Sequence, residues 1–228
     1  MNDQIRIVST KKLLPKQRQF LLNANFAVVE ADFITIKHKE LSFIDNCQNL
    51  IFSSQNAVES ILNNTNVDQL LSKKCFAVGQ KTKAALEQHG FVVIESADYA
   101  SELASIICNQ YNKESFVFFS GKLRREILPE ALTLAKINFE ELEVYETILS
   151  PQTITAKPDG ILFFSPSAFE SYLKVNSITD EVCFCIGKTT AEPVEKITTH
   201  CIIAKQPSIE NVIIQCINYY GKSNRYRE

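Results

Sequence analysis

Two short turns in this chain combine hydroxyl side chains with the start of a helix, and they offer a way to bind an anion. Ser53 and Ser54 follow one apolar run, and Ser165 and Ser167 follow another. Each run is typical of a strand buried on both faces, and Ser165 is placed to cap the helix that comes next. The first N–H groups of a helix have no intrahelical partner, and the helix dipole favours negative charge there. The turns therefore predict sites for a carboxylate or a phosphate.

The two turns lie in segments that align without gaps. Residues 50–62, LIFSSQNAVESIL, match residues 161–173, ILFFSPSAFESYL, with six identities in thirteen positions at an offset of 111. A shared strand-then-helix pattern explains similar polarity but not this number of identities, so the match favours an internal duplication. Further pairs follow in both halves, among them Gly79 with Gly187, Thr82 with Thr190 and Phe33 with Tyr145.

The polar residues at the predicted turns are Ser, Thr, Lys and Gln, which with the backbone N–H groups are hydrogen-bond donors for carboxylates or phosphates. Each serine or threonine taken alone is explained as well by a helix cap. Their repetition at equivalent turns makes a cleft for a polyanion an equally good interpretation.

The elements that must position these turns alternate between strands and helices. Strands are predicted at 5–8, 27–29, 50–53, 74–78, 91–94, 115–119, 139–144, 161–164, 182–186 and 201–204. Helices are predicted over about 15–24, 55–63, 83–90, 99–111, 124–135 and 208–220, with another opening at 187–190. This alternation indicates α/β units with parallel sheets, whose binding sites lie beyond the carboxyl ends of the strands. Two such units would present two facing sets of turns around one cleft.

Composition excludes several classes of function. The net charge of −2 argues against a nucleic-acid binder, and no apolar run approaches the roughly 18 residues of a membrane span. The first residues lack a signal-peptide core, and the seven cysteines, without a C-x-x-C pair, are typical of reduced thiols in the cytoplasm. The histidines lack a second ligand at metal spacing, and G-x-G and Walker motifs are missing. We therefore expect a cytoplasmic protein that has neither a metal site nor a dinucleotide or Walker-type nucleotide site.

Five motifs, taken in their order and spacing, resemble one family. SGKLRREILPEAL at 120–132, VYET at 144–147, FFSPSA at 163–168, AVGQKT at 77–82 and CIGKTTA at 185–191 together resemble uroporphyrinogen-III synthase. The resemblance covers about residues 50–195. Each motif is short, and the specificity lies in the set.

The resemblance implies a fold of two similar parallel-sheet α/β domains joined by a two-stranded β ladder, with the active site in the cleft between the domains. The first domain would comprise residues 1–34 plus 150–228, and the second residues 35–149. The ladder strands would be FITI and YETI, within linkers near 33–38 and 145–151. The residues alone do not exclude two contiguous domains.

The resemblance also implies a hydro-lyase reaction. Hydroxymethylbilane is cyclised to uroporphyrinogen III with inversion of ring D and loss of water, in tetrapyrrole (haem) biosynthesis, without cofactor or metal. A carboxylate-rich substrate agrees with arrays of N–H and hydroxyl donors. We expect a monomer that takes its substrate from the upstream deaminase by transient hand-over and binds neither nucleic acid nor membrane. The rival interpretation is a non-catalytic, two-lobed protein that binds a polyanionic small molecule.

One residue is a candidate general acid. A phenol, with a pKa of about 10, is protonated at neutral pH and can donate a proton, and Tyr145 corresponds to Phe33, which cannot. The alternative is that Tyr145 only packs at the hinge. By motif position, the residues expected to bind substrate, much of it through backbone N–H groups, are Ser53, Ser54, Gln55, Thr82, Lys122, Ser165, Pro166, Ser167, Lys188, Thr189 and Thr190. Arg124 and Arg125 are expected to be solvated or ion-paired.

Overall fold

The computed structural model describes residues 4–40, 47–63 and 67–224. Its strands are β1 (Arg6–Ser9), β2 (Ala27–Glu30), β3 (Ile34–His38), β4 (Asn49–Phe52), β5 (Lys74–Val78), β6 (Val92–Ala97), β7 (Ser115–Gly121), β8 (Asn138–Leu149), β9 (Gly160–Phe163), β10 (Val182–Cys185) and β11 (Cys201–Ile203). Its helices are α1 (Pro15–Asn23), α2 (Gln55–Leu62), α3 (Gln80–Gln88), α4 (Ala100–Gln110), α5 (Ile127–Leu134), α6 (Pro166–Leu173), α7 (Lys188–Glu195) and α8 (Ile209–Asn224), with a short 3₁₀ helix at Val67–Gln69.

The chain divides into two compact units. The first unit is Met1–Thr35 with Ile148–Glu228, and the second is Ile36–Thr147. The last helix, α8, ends at Asn224, and residues 225–228 lie outside the described part.

The first unit is built on a five-stranded sheet in the order β11-β10-β9-β1-β2, and its strands pair in parallel. Successive side chains of β9 enter different cores: Ile161 and Phe163 pack with α6 and α7, whereas Leu162 packs with α1 and α8. Because residues of a strand alternate between the two faces, helices cover both faces of this sheet. That is why the strand reads as an unbroken apolar run.

The second unit repeats this plan. Its sheet has the order β3-β8-β7-β4-β5-β6, and β4 to β8 pair in parallel along it. Leu50 and Phe52 pack with α2 and α3, whereas Ile51 packs with α4 and α5. Without β3, the order β8-β7-β4-β5-β6 corresponds strand for strand to β2-β1-β9-β10-β11. The predicted α/β class and the similarity of the two units are confirmed, and the shared order supports a duplication.

The strands predicted to form a ladder are longer than the sequence indicated. The predicted strand 139–144 and the following YETI form one strand, β8, and β3 lies beside it at the edge of the sheet. Lys39 N–H donates to Val144 O at 2.9 Å, and Ser150 N–H donates to Phe33 O at 2.9 Å. The ladder as a connection between domains stays a prediction.

Candidate functional site

The predicted residues of the second unit meet at one edge of its sheet. The strands β7, β4 and β5 are parallel neighbours, so the turns at their carboxyl ends lie side by side. These turns carry Ser53, Ser54, Gln55, Thr82 and Lys122. Tyr145 joins them from β8, which runs parallel to β7. The second unit therefore assembles the hydroxyl, amide and ammonium donors that sequence reasoning grouped by motif.

Ser54 makes two interactions at this edge. Its hydroxyl oxygen accepts a hydrogen bond from Ala57 N–H at 3.2 Å, so it is the N-cap of α2. The same oxygen lies 3.0 Å from the Tyr145 hydroxyl oxygen. Among the described residues, no acceptor lies against the N–H groups of Gln55 and Asn56 in the first turn of α2. The turn thus holds a tyrosine hydroxyl beside two unpaired backbone donors.

Gly121 makes room for the tyrosine. The register of β7 and β8 shifts between Ser120 and Gly121, which places Gly121 opposite Tyr145. A Cβ atom on Gly121 would lie 2.3 Å from Tyr145 Cζ and 2.7 Å from the hydroxyl oxygen, closer than van der Waals contact allows. Sequence reasoning missed this role. A glycine at the end of a buried strand is the available signal, since it often marks a close approach or a bulge.

Lys122 is paired in this structure. Its Nζ lies 2.6 Å from Glu146 Oε1, and its backbone N–H donates to Tyr145 O at 3.1 Å. The hydrogen bond and charge of Glu146 raise the pKa of Lys122, and those of Lys122 lower the pKa of the Glu146 carboxyl. The Lys122 side chain is 55% exposed, so its ammonium group is accessible to solvent although it is paired with Glu146. Glu146 is a further residue that sequence reasoning missed.

The two arginines after Lys122 precede a helix rather than lying on it. The helix predicted over 124–135 begins at Ile127, so the predicted start was wrong. Arg124 instead binds Glu141, with Nη2 2.7 Å from Oε2, and also contacts Glu126. The hydrogen bonds that the Arg124 guanidinium donates, mainly to Glu141, raise its pKa. The prediction that Arg124 is ion-paired is confirmed.

The first unit presents the equivalent turns at its own sheet edge. Ser165 caps α6 by accepting a hydrogen bond from Ala168 N–H at 3.1 Å, and Pro166 occupies the first helical position. Ser167 follows in the first turn. Lys188 and Thr189 begin α7 after β10, the parallel neighbour of β9, and both are exposed.

The aromatic residue of the first unit differs in its surroundings. Phe33, the counterpart of Tyr145, is fully buried, and its ring centroid lies 5.4 Å from that of Tyr172. It has no hydroxyl to offer to Ser165. The hydroxyl contact found in the second unit therefore has no equivalent in the first.

The two threonines are more enclosed than the other predicted residues. Thr82 is 4% exposed and Thr190 is 3% exposed, so neither side chain offers much surface to a ligand. The backbone N–H of Thr190 is bonded to Gly187 O at 3.0 Å. Their positions in α3 and α7 favour a structural contribution to the turns over a direct contact.

Three further findings bear on the type of site. In the part of the chain that the structure describes, no group of three His, Cys, Asp or Glu residues could hold a metal ion. All seven cysteines are free, and Cys183 and Cys185 are fully buried in β10. Within the same described residues, no helix has the length and apolar character needed to cross a bilayer.

Comparison with known proteins gives one consistent family. Residues 19–214 match a family model described as Uroporphyrinogen-III synthase HemD. A uroporphyrinogen-III synthase of Saccharomyces cerevisiae is 27% identical over 133 residues, which cover 51% of this chain and 48% of that protein. One from Chlorobaculum parvum is 28% identical over 170 residues, covering 64% of this chain and 69% of that protein. The match to the yeast protein thus spans about half of its length.

Solved structures agree in fold. The crystal structure of uroporphyrinogen-III synthetase from Helicobacter pylori superposes with a TM-score of 0.73 at 22% identity, covering 95% of this chain and 100% of that one. A mutant uroporphyrinogen III synthase from Thermus thermophilus gives a TM-score of 0.62 at 12% identity, covering 96% of this chain and 99% of that one. At these identities the likeness establishes the fold.

Proposed function

This chain belongs to the uroporphyrinogen-III synthase family, and on that premise we propose that it is a cyclising hydro-lyase that converts hydroxymethylbilane to uroporphyrinogen III. In this reaction ring D is inverted and water is lost. The observation that carries the proposal at the level of residues is the Tyr145 hydroxyl, held 3.0 Å from Ser54 Oγ at a sheet edge rich in hydrogen-bond donors.

The chemistry asked of the protein is mainly positioning. Hydroxymethylbilane cyclises without help to the uninverted isomer, so the catalyst must hold a conformation in which the inverted ring closes. Fixing reactive groups in a productive geometry can supply up to about 7–11 kcal/mol in ideal cases. Carboxylates bound at several separate turns would restrict a flexible chain in this way. The turns at Ser54, Ser165 and Lys188 offer N–H, hydroxyl and ammonium donors for that purpose.

Tyr145 is proposed as the general acid. Its O–H would donate a proton to the departing hydroxyl of the substrate, so that the carbon–oxygen bond breaks with water as the leaving group. Ser54 is at hydrogen-bond distance from the tyrosine oxygen and would keep it in place. Gly121 leaves the space that the ring occupies. The surrounding N–H donors would then bind the substrate carboxylates that fix ring D near this hydroxyl.

Lys122 is proposed to bind a substrate carboxylate after exchanging its partner. In the free protein Glu146 keeps the ammonium charged and in place at 2.6 Å. An exposed ion pair contributes little stability, so a carboxylate of the substrate can replace Glu146 at small cost.

The domain organisation remains part of the proposal. We propose that residues 1–34 plus 150–228 and residues 35–149 act as two domains, joined by strands near 33–38 and 145–151. The active site would lie in the cleft between them. The continuity of β3 and β8 across these ranges supports such a connection. Domain closure over the substrate would exclude water and complete the set of donors.

The cellular setting is proposed on chemical grounds. We propose that the chain works as a monomer in the cytoplasm and receives hydroxymethylbilane from the upstream deaminase by transient hand-over. The substrate cyclises spontaneously to the wrong isomer, so a short exposure to solvent favours the correct product. A non-catalytic protein that only binds a polyanion is not favoured, because the relatives from Saccharomyces cerevisiae and Chlorobaculum parvum are both uroporphyrinogen-III synthases.

The test of the proposed function is an isomer assay. Freshly prepared hydroxymethylbilane is supplied to the purified protein, the products are oxidised, and isomers I and III are separated by chromatography. We expect isomer III to form faster than isomer I. If isomer I alone appears at the rate of the protein-free control, the binding-protein alternative replaces this proposal.

A further inference from the structure

The first unit contains a cavity that the proposed reaction does not use. Its volume is about 630 Å³, and it lies between the segment 153–158, the end of α6 and the loop that leads to β10. The end of α6 and the start of β10 are at the amino edge of the sheet, whereas the turns at Ser165 and Lys188 are at the carboxyl edge. The cavity is therefore separate from the candidate active site of this unit.

A buried carboxylate without a counterion lines this cavity. Glu181 is 5% exposed, and its Oε2 accepts hydrogen bonds from Thr179 N–H at 2.6 Å, Thr179 Oγ1 at 3.2 Å and Asp180 N–H at 3.0 Å. Within the described residues, its other oxygen, Oε1, has no donor and no cation partner. Glu181 is mostly buried, and its Oε1 has no partner among the described residues, so a positively charged donor bound at Oε1 would be stabilised by a charge-assisted hydrogen bond.

A tyrosine hydroxyl accompanies the carboxylate. Tyr172 lines the same cavity, is 2% exposed, and makes no hydrogen bond through its hydroxyl to any described residue. Its ring is held by Phe33 and Phe163, with centroids 5.4 and 5.7 Å away. Burial, together with the charge of Glu181, raises the pKa of Tyr172 to about 12, so the hydroxyl stays protonated and can donate or accept. Because Tyr172 lines the cavity, its hydroxyl can serve a ligand bound there.

The cations near the cavity are already neutralised. Lys157 Nζ lies 3.2 Å from Asp180 Oδ2, and Lys174 Nζ lies 3.8 Å from Glu170 Oε1. Among the described residues that line the cavity, Glu181 is the charged residue without an oppositely charged partner. Hydroxyl groups of Thr153, Thr155 and Ser177 complete a polar lining. Charge and hydrogen bonding together favour a small organic cation over an anion or an apolar molecule.

We propose that this cavity binds a small primary amine, with its ammonium group on Glu181 Oε1 and a neighbouring polar group on the Tyr172 hydroxyl. Three hydrogen bonds on Oε2 fix the carboxylate and leave Oε1 directed to the ligand. A charge-assisted hydrogen bond in a buried site is roughly twice as strong as a neutral one. The proposal does not depend on the cyclisation reaction, since none of its residues belongs to the proposed catalytic edge.

The test follows the backbone amide signals of Thr179 and Asp180 by nuclear magnetic resonance in ¹⁵N-labelled protein. Both N–H groups bind the carboxylate of Glu181, so they report on its second oxygen. Ethanolamine is the probe, ethylene glycol is its uncharged isostere, and potassium chloride controls for ionic strength and for binding of a bare cation. We expect a saturable shift of these two signals at millimolar ethanolamine, and no saturable shift with the other two compounds.

Two variants sharpen the test. Glu181→Gln retains an oxygen for the N–H groups of Thr179 and Asp180 but loses the charge, and it should bind ethanolamine at least about tenfold more weakly. Glu192→Gln removes an exposed carboxylate of α7 outside the cavity and should bind as the native chain does. An absent shift, an equal shift with ethylene glycol or potassium chloride, or full binding by a folded Glu181→Gln protein would overturn the proposal. The comparison of probes on the native chain stands even where a variant fails to fold.

Discussion

The two units share a strand order and a capped turn, yet they differ at one aromatic position. Ser54 and Ser165 cap their helices in the same way. Each hydroxyl oxygen accepts a hydrogen bond from the N–H group three residues later, that of Ala57 or Ala168. In the second unit Tyr145 brings its hydroxyl to the capping serine. In the first unit Phe33 is buried against Tyr172 and has no hydroxyl. The capping hydrogen bond is therefore common to both turns and structural, whereas the tyrosine hydroxyl is present at one turn and is available for chemistry.

A second pair of equivalent positions differs in the same way. The buried hydroxyl of Ser60 donates to Asn56 O at 2.7 Å and lies 2.7 Å from His38 Nδ1. Its counterpart, Ser171, is also fully buried, but its hydroxyl has no partner among the described residues. The serine at this repeated position therefore has hydrogen-bond partners in the second unit, but none among the described residues in the first. These two contrasts order the predictions that follow.

The largest effect is expected from making the second unit resemble the first. Tyr145→Phe removes the proposed acid but keeps the ring, so kcat for formation of isomer III should fall by about 10²–10⁴-fold. Initial rates with fresh hydroxymethylbilane provide the measurement. Tyr99→Phe, which alters an exposed tyrosine of the same unit, should keep the native rate. Turnover of Tyr145→Phe within a few-fold of native would remove Tyr145 as the acid.

A slightly smaller loss is expected from closing the space beside Tyr145. In Gly121→Ala the new Cβ meets the tyrosine ring at 2.3 Å, so the ring must move away from Ser54. Activity should fall by about tenfold or more, and adding Tyr145→Phe to this variant should cost less than it does alone. Gly221→Ala, which adds a Cβ that has no described residue within 4 Å, is the matched control. Full additivity of the two losses would show that Gly121 acts independently of Tyr145.

The capping serines separate stability from activity. Ser54→Ala and Ser165→Ala each lose one cap, and each should cost about 0.5–2 kcal/mol in the free energy of unfolding measured with urea. Only Ser54→Ala also releases the Tyr145 hydroxyl, so it should lower kcat, whereas Ser165→Ala should act mainly through KM. Ser54→Thr, which retains the hydroxyl, should restore most of the rate. Equal effects of both alanine variants on kcat would end the distinction between the two turns.

The buried serines on α2 and α6 should respond in opposite directions. Ser60→Ala removes a satisfied hydroxyl and should destabilise the protein by about 1 kcal/mol. Ser171→Ala removes a hydroxyl without a described partner and should be neutral or slightly stabilising. Urea unfolding curves of the two variants provide the measurement. If Ser171→Ala lowered the free energy of unfolding as much as Ser60→Ala does, the Ser171 hydroxyl would have a stabilising partner after all.

The smallest effect concerns the ion pair of Lys122. The pKa of Glu146 is lowered by Lys122, so the pair is present above the ordinary range of a carboxyl and is lost as pH falls through the lowered pKa. Titration of the Glu146 carboxyl by carbon-detected resonance should show this lowered pKa and its return to the ordinary range in Lys122→Met. Glu146→Gln should lower KM a few-fold, because it removes the competitor of the substrate. A raised KM would instead assign Glu146 a role in binding.

The sequence was sufficient for the features that depend on neighbouring residues. Alternating strands and helices, the repeat of residues 50–62 at 161–173, and the caps at Ser54 and Ser165 follow from local patterns. The strand register was not accessible. A shift between Ser120 and Gly121 sets the glycine against Tyr145. The glycine signals a close approach, but the local sequence does not identify Tyr145 as the residue that makes it.

Errors and omissions have similar physical causes. The predicted helix start at Arg124 failed because Arg124 is held by Glu141, a residue on β8. Glu181 and Tyr172 meet only when the end of α6 is folded beside the start of β10. The features that the sequence did not predict therefore depend on contacts between residues that are distant in the chain.

The role of Tyr145 in forming isomer III is tested most directly by the isomer ratio. The ratio is measured for the native chain and for Tyr145→Phe with the same preparation of hydroxymethylbilane. We expect the native chain to yield mainly isomer III. In the variant the slowed enzymatic reaction should lose to spontaneous closure, so that isomer I dominates. Isomer I alone from the native chain would contradict the proposed synthase activity. An unchanged isomer ratio and rate in Tyr145→Phe would contradict the role of Tyr145 as the acid.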